Sequence, residues 1–379
     1  MRHQRFSLPG LGRAGSRIDM KNVAVDEIEY IELCVGDLLQ STRFFTDALN
    51  FRRVAEGGPE TGLEAQRCVL MQQGRCRVLL TQGLTPESPS SEYVQRHGDG
   101  VRDIALRTPD LVATYAHVIE RGAHPVREPA ILQDGHGRRV LKATVQAMGD
   151  VVHSLIEREG PWEGFLPPGL RAVDAPQSTA KELFSGLDHV AICLSPGTLD
   201  AMVRFYTEAF GFRQSHEENV KTHGSGMNSK VVQSPSGRIC FPMQEPISHE
   251  NPGQIGEFLA RHGGPGVQHL AMLSPDIVAS ARQLRTQGIE FLDIPAAYYD
   301  RLEGRLGPIP LDLGPLREMG ILVDRDAWGL LLQSFTRSVH PRQTLFFEAV
   351  ERKDARGFGG ANIRALYEAV EHELSRAQS

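Results

Sequence analysis

Three side chains of this 379-residue chain have the types and the setting to hold one metal ion: His189, His269 and Glu348. Two imidazoles and a carboxylate are the facial ligand set of mononuclear non-haem iron(II) oxygenases. Such a set leaves octahedral positions for a bidentate 2-oxo acid and for dioxygen. The ligands stand 80 residues (269 − 189) and 79 residues (348 − 269) apart, so no local motif joins them. They must meet through the fold. A lone strand histidine is more often structural than a ligand, and this chain has 14 histidines. Here the setting matters more than the count. His189 and His269 sit at matched places in two short strand-like segments. Glu348 interrupts the apolar run Leu345-Phe346-Phe347-Glu348-Ala349-Val350, where an unpaired carboxylate would be costly.

The elements that must position these residues come in duplicate. Ile28–Val35 (IEYIELCV) parallels Leu187–Leu194 (LDHVAICL), and Gly100–Leu106 (GVRDIAL) parallels Gly266–Met272 (GVQHLAM). Val151–Arg158 parallels Leu345–Arg352. Helical stretches follow, and Gly122 and Gly288 stand where helix ends favour a left-handed residue. Each half therefore reads as two strand–helix–strands modules. The pattern predicts an α+β fold of two tandem domains with curled mixed sheets. A disordered basic tail is expected over 1–22 and an N-terminal domain without a metal site over 23–160. A Pro- and Gly-rich linker is expected over 161–181, and a metal-bearing C-terminal domain over 182–379. In the first half the columns matched to the three ligands carry Tyr30, Asp103 and Ser154, which do not make an iron site.

Bulk properties exclude other classes. A formal net charge of −6 gives no positive field for nucleic acid or an anionic membrane. No apolar run is long enough to span a bilayer. Five cysteines without a CxxC spacing predict buried free thiols and a cytoplasmic protein. Trp162 and Trp328 are expected to pack.

A longer set of residues carries a family likeness. It comprises Leu187–Leu194, Met227-Asn228-Ser229, Gly266–Leu270, Tyr298-Tyr299-Asp300, Leu331–Phe335, Phe346-Phe347-Glu348 and Gly357–Ile363. Across roughly 185–372 the chain resembles the family of 4-hydroxyphenylpyruvate dioxygenase and 4-hydroxymandelate synthase, in the vicinal oxygen chelate superfamily. The first half resembles it more weakly. The resemblance implies the vicinal oxygen chelate fold, with two βαβββ modules in each domain. It implies Fe(2+) on His189, His269 and Glu348, and an aromatic 2-oxo acid and dioxygen as substrates. It implies a pocket of Ser229, Gln244, Gln254, Gln268, Gln333, Phe335, Phe346, Phe358, Asn362 and Ile363, a covering C-terminal helix over roughly 362–374, and a homodimer. Two positions bear on the product. Ile363 stands where the dioxygenase usually has Phe, as in the synthase. Pro242-Met243-Gln244 keeps the dioxygenase's Pro but has Gln for its Asn. Benzylic hydroxylation to 4-hydroxymandelate is therefore expected, with homogentisate formation as the alternative. Extradiol dioxygenases and glyoxalase-like isomerases share this fold, but the segment from Phe358 onward matches the 2-oxo acid oxygenases. A metal-free ligand-sequestering protein would not need the three ligands.

Overall fold

The computed structural model describes residues 25–174, 182–221, 226–247, 253–360, 362 and 364. The tail expected over 1–22, Ile363 and most of the expected C-terminal helix lie outside the described residues.

The first sheet is built from β1 (Glu27–Cys34), β2 (Arg52–Gly57), β3 (Gln66–Gln73), β4 (Cys76–Gly83), β5 (Gly100–Arg107), β6 (Pro125–Gln133), β7 (Arg139–Gln146), β8 (Val152–Arg158) and β9 (Arg171–Ala172). Their order is β6-β7-β8-β5-β1-β4-β3-β2-β9. The second holds β10 (Gly186–Cys193), β11 (Arg213–Lys221), β12 (Gly226–Gln233), β13 (Cys240–Pro246), β14 (Gly266–Leu273), β15 (Leu322–Arg325), β16 (Leu330–Phe335) and β17 (Phe346–Lys353). Their order is β11-β12-β13-β10-β14-β17-β16-β15. In each half the first strands of two βαβββ modules pair antiparallel, β1 with β5 and β10 with β14. Each then pairs in parallel with the last strand of its own module, β1 with β4 and β10 with β13. The sheets are mixed, as the repeat predicts.

Register confirms the matched columns. Tyr30 faces Ala105 as His189 faces Ala271. Asp103 faces Val152 as His269 faces Phe346. Both halves also slip register at the same two places: Ile28/Tyr30 and Glu32/Leu33 in β1, Leu187/His189 and Ala191/Ile192 in β10. A bulge lets two successive residues serve one face, which strict strand alternation forbids. The bulged residues of the second half are Asp188 and Gln268, each next to a ligand histidine.

The helices bury one stripe each. In Leu199–Ala209 the buried residues are Leu199, Val203, Tyr206 and Ala209, a helical spacing. The helices after β5 and β14 open on matched aspartates: Asp110 accepts from Ala113 N–H and Asp276 from Ala279 N–H, each at 2.9 Å. They close on Gly122 (φ 92°) and Gly288 (φ 87°), as expected. One buried apolar cluster runs through both halves, from Val25 past Ile104 and Phe184 to Phe347. The halves cannot separate without exposing it, at about 1.5–3 kcal/mol for each large side chain uncovered.

Part of the Pro- and Gly-rich stretch is packed rather than free. Trp162, Phe165, Leu166 and Leu170 are buried. The Arg77 guanidinium donates to the carbonyls of Trp162 and Phe165, at 3.0 Å each, and β9 pairs with β2. Pro and Gly signal irregular backbone, and the apolar residues between them still seek cover. Trp328 departs from expectation: it is 55% exposed, with the Arg356 guanidinium 5.2 Å over its ring. All five cysteines are free and buried. No helix among the described residues is long and apolar enough to cross a membrane.

Candidate metal centre

Strands β10, β14 and β17 are neighbours in the second sheet, and they bring the three sequence-predicted ligands together. His189, His269 and Glu348 are buried, with ligand atoms all within 4.8 Å of one another. His189 Nε2 lies 3.1 Å and His269 Nε2 lies 3.2 Å from Glu348 Oε2. Two donors about 2.1 Å from a common metal and at right angles are about 3.0 Å apart, so these spacings fit one ion. Glu348 Oε2 is buried and accepts no aligned hydrogen bond. A carboxylate oxygen in that position, between two imidazole nitrogens, fits a cation better than a protein donor.

The imidazoles are oriented from behind. His189 Nδ1 lies 2.8 Å from Asp188 Oδ1, and His269 Nδ1 lies 3.3 Å from Gln268 Oε1. Both partners are acceptors, so each ring donates its Nδ1 proton and turns Nε2 inward. Asp188 is itself clamped by Arg352, Nε to Oδ2 at 2.5 Å and Nη2 to Oδ1 at 2.8 Å. The first half repeats the clamp without the histidine: Arg158 Nε donates to Glu29 Oε1 at 3.0 Å. The sequence reading missed Asp188 and Arg352. The available signal was the acid–arginine pair recurring in matched columns of both halves.

Charge follows this geometry. Burial would push the Glu348 carboxyl up, but His189 and His269 outweigh it and hold it at about 2. Burial would push His189 down, but Glu348 and Asp188 raise it to about 9. Burial prevails at His269, which is lowered. Burial also opposes the Asp188 charge, yet Arg352 and His189 hold its carboxyl well below the usual range. Without metal, then, one proton on His189 balances Glu348. A divalent ion would displace that proton.

Comparison with known proteins places this geometry. Residues 27–141 and 186–305 match the Glyoxalase/Bleomycin resistance protein/Dioxygenase superfamily. A structure of a mutant 4-hydroxymandelate synthase from Streptomyces coelicolor aligns with a TM-score of 0.84 at 38% identity, covering 92% of this chain and 99% of that one. The 4-hydroxyphenylpyruvate dioxygenase of Danio rerio is 32% identical, over 91% of this chain and 89% of its own. That of Xenopus tropicalis is 31% identical, over 90% of each. The chain belongs to the 4-hydroxyphenylpyruvate dioxygenase family. Like the enzymes of that family it is an oxygenase, and its metal-binding geometry is the His189–His269–Glu348 cluster.

In this member of the dioxygenase family three aromatic rings wall the cluster. Phe346 stacks on His269 with centroids 4.8 Å apart. Phe335 meets His269 edge-on at 6.1 Å, and Phe358 meets His189 edge-on at 5.9 Å. On the polar side, Ser229 stands opposite Gln244 across β12 and β13. Gln244 Nε2 donates to Gln268 Oε1 at 2.9 Å, so that oxygen serves both Gln244 and His269. Pro242, two residues before Gln244, shares its face and pairs with Val231. Gln254 is half-buried in the first turn of the helix Gly253–His262, and has no hydrogen bond to the triad among the described residues. Gln333 and Asn362 are fully buried, with their amides bonded to each other and, through Gln333, to Glu348. They reach the centre through its carboxylate ligand.

Proposed function

We propose that the chain is an iron(II)-dependent oxygenase that converts 4-hydroxyphenylpyruvate and dioxygen to 4-hydroxymandelate and carbon dioxide. The carrying observation is Glu348 Oε2, buried without a hydrogen bond and 3.1–3.2 Å from two imidazole nitrogens, beside a wall of three phenylalanines. His189, His269 and Glu348 would hold the ion. When bound, iron(II) supplies Lewis acidity and one-electron chemistry with dioxygen. The protein's own residues do the rest. Phe335, Phe346 and Phe358 enclose an aromatic ring and exclude water. Ser229, Gln244 and Gln268 offer hydroxyl and amide groups to a polar ring substituent. Gln268 Nε2 and Gln244 Oε1 have no partner among the described residues. Asp188 and Gln268 keep the histidines in the tautomer a metal needs.

The choice of product rests on Ile363, where the resemblance gives the dioxygenase Phe and the synthase Ile. The alternative is homogentisate, an isomer of 4-hydroxymandelate formed from the same substrates. Chromatography of the product made by iron-reconstituted protein tests this. 4-Hydroxymandelate is expected, and homogentisate as the sole product would overturn the reading. Five free, buried thiols are in keeping with the cytoplasm, and a homodimer is expected from the family resemblance.

A further inference from the structure

We propose that Tyr298, Asn362 and Gln333 form a one-directional hydrogen-bond relay that decides which oxygen of Glu348 faces the metal. The proposal rests on the metal-centre reading above. The contacts are continuous. Tyr298 OH lies 2.8 Å from Asn362 Oδ1, Asn362 Nδ2 lies 2.9 Å from Gln333 Oε1, and Gln333 Nε2 lies 2.8 Å from Glu348 Oε1.

The direction of every link follows from the last one. Glu348 Oε1 accepts from Gln333 Nε2, and an ionised carboxylate ligand has no proton to give back. Gln333 must therefore turn Nε2 toward Glu348 Oε1, which leaves its own Oε1 facing Asn362. That oxygen needs a donor, so Asn362 presents Nδ2 and turns Oδ1 to Tyr298. The tyrosine hydroxyl must then give its single proton to Asn362. Its other neighbour, the Val323 carbonyl at 2.9 Å, is already served by Arg305 Nη2 at 2.8 Å. The hydroxyl in turn accepts from Val323 N–H at 2.8 Å and from Arg305 Nη2 at 3.0 Å.

The consequence falls on Glu348. Its Oε1 is occupied by Gln333, so Oε2 alone is left toward His189 and His269. The relay makes Glu348 a one-oxygen ligand and keeps a coordination position free. It also ties that ligand to the glycine-rich segment before the C-terminal stretch. Gly359 has φ +69°, and a Cβ there would lie 2.4 Å from Gln333 Oε1. The backbone is thus pressed directly onto the relay. Asp326 holds the segment, accepting from Arg356 N–H at 2.6 Å and Gly357 N–H at 2.7 Å.

Cobalt(II) titration of the metal-free full chain tests the proposal, because its visible absorption reports coordination number and geometry. Asn362→Asp keeps the size of the side chain but cannot donate to Gln333. The Gln333 amide must then either lose a partner or turn its oxygen on Glu348. The wild type is expected to take one cobalt per chain. Asn362→Asp should bind it about ten- to a hundredfold more weakly, with an altered spectrum. Tyr298→Phe should give a smaller loss in the same direction. Thermal unfolding of the metal-free proteins separates a relay effect from general damage. If Asn362→Asp does not fold, Tyr298→Phe alone decides. Wild-type affinity and spectrum in the folded variants would overturn the relay. A wild type that takes no cobalt would instead sink the metal centre, and the relay with it.

Discussion

Lys142 of β7 and Gln333 of β16 occupy the same column of the two duplicated sheets. Thr144 faces Ser154 and Lys142 faces Ile156; Phe335 faces Glu348 and Gln333 faces Val350. Gln333 donates a neutral N–H to Glu348. Lys142 brings a charge, with Nζ 3.0 Å from Tyr30 OH and 4.0 Å from Asp103 Oδ2. Burial would lower Lys142, but Tyr30, Asp103 and Glu32 raise it, so it stays an ammonium. The first half carries its own cation where the second half leaves the positive charge to a metal.

Lys142→Met is accordingly expected to destabilise the protein without touching the metal centre. It removes the hydrogen bond to Tyr30 OH and takes the nearby positive charge from buried Asp103, which keeps its bonds from Ser154 N–H at 2.8 Å and Ser154 Oγ at 2.5 Å. The loss should be about 2 kcal/mol, the scale of one hydrogen bond to a charged group. Denaturant unfolding measures it, with metal stoichiometry unchanged. An unaltered midpoint would mean that the ammonium has no structural role.

The triad was legible because strands alternate and the chain repeats: three columns could be compared directly, and the register bears the comparison out. Asp188 and Gln268 were harder to place. Simple alternation puts a ligand's neighbour on the opposite face, and only the bulges bring these two into the site. The relay was invisible for another reason. Tyr298 and Asn362 stand at helical positions and Gln333 and Glu348 in two strands, and no periodicity links them. Gln333 and Asn362 read as pocket residues by likeness, and only their hydrogen bonds show them directed at Glu348. The packing of Trp162 was expected; the exposure of Trp328 was not, because composition does not say which face of a turn meets solvent.

Asp188→Asn tests the clamp behind His189. The amide can still accept from Nδ1–H, but it loses the charge that Arg352 grips. Metal affinity should fall about tenfold or more, the usual effect of changing a residue behind a metal ligand. Arg352→Met should act in the same direction. Isothermal titration with a divalent metal checks both, and native affinity in either variant would show that the clamp serves the fold alone.

Ile363→Phe addresses the product. The position follows Asn362, whose side chain is buried against Gln333, and phenylalanine and isoleucine differ in volume and shape by more than a methylene. A shift of about 1 Å in the substrate is enough to change which carbon reacts. The homogentisate fraction is expected to rise at the expense of 4-hydroxymandelate. An unchanged product ratio would remove Ile363 as the determinant.

Metal affinity should depend on pH through His189. Its pKa in the metal-free protein is raised to about 9 by Glu348 and Asp188, against the burial that lowers it. Below that value Nε2 carries a proton, and a metal must displace it. Each unit of pH between about 6.5 and about 9 should therefore tighten binding close to tenfold, with a plateau above. The sign for stability is opposite. A raised pKa stabilises the metal-free fold fully below the unfolded value of about 6.5, and that contribution is lost as pH rises through about 9. Raising pH across this window should weaken the metal-free protein while strengthening its hold on metal. Chelator-buffered titrations at several pH values, beside unfolding of the metal-free chain, would show the crossing trends. Affinity independent of pH across the window would mean that no proton sits on His189 when the metal arrives.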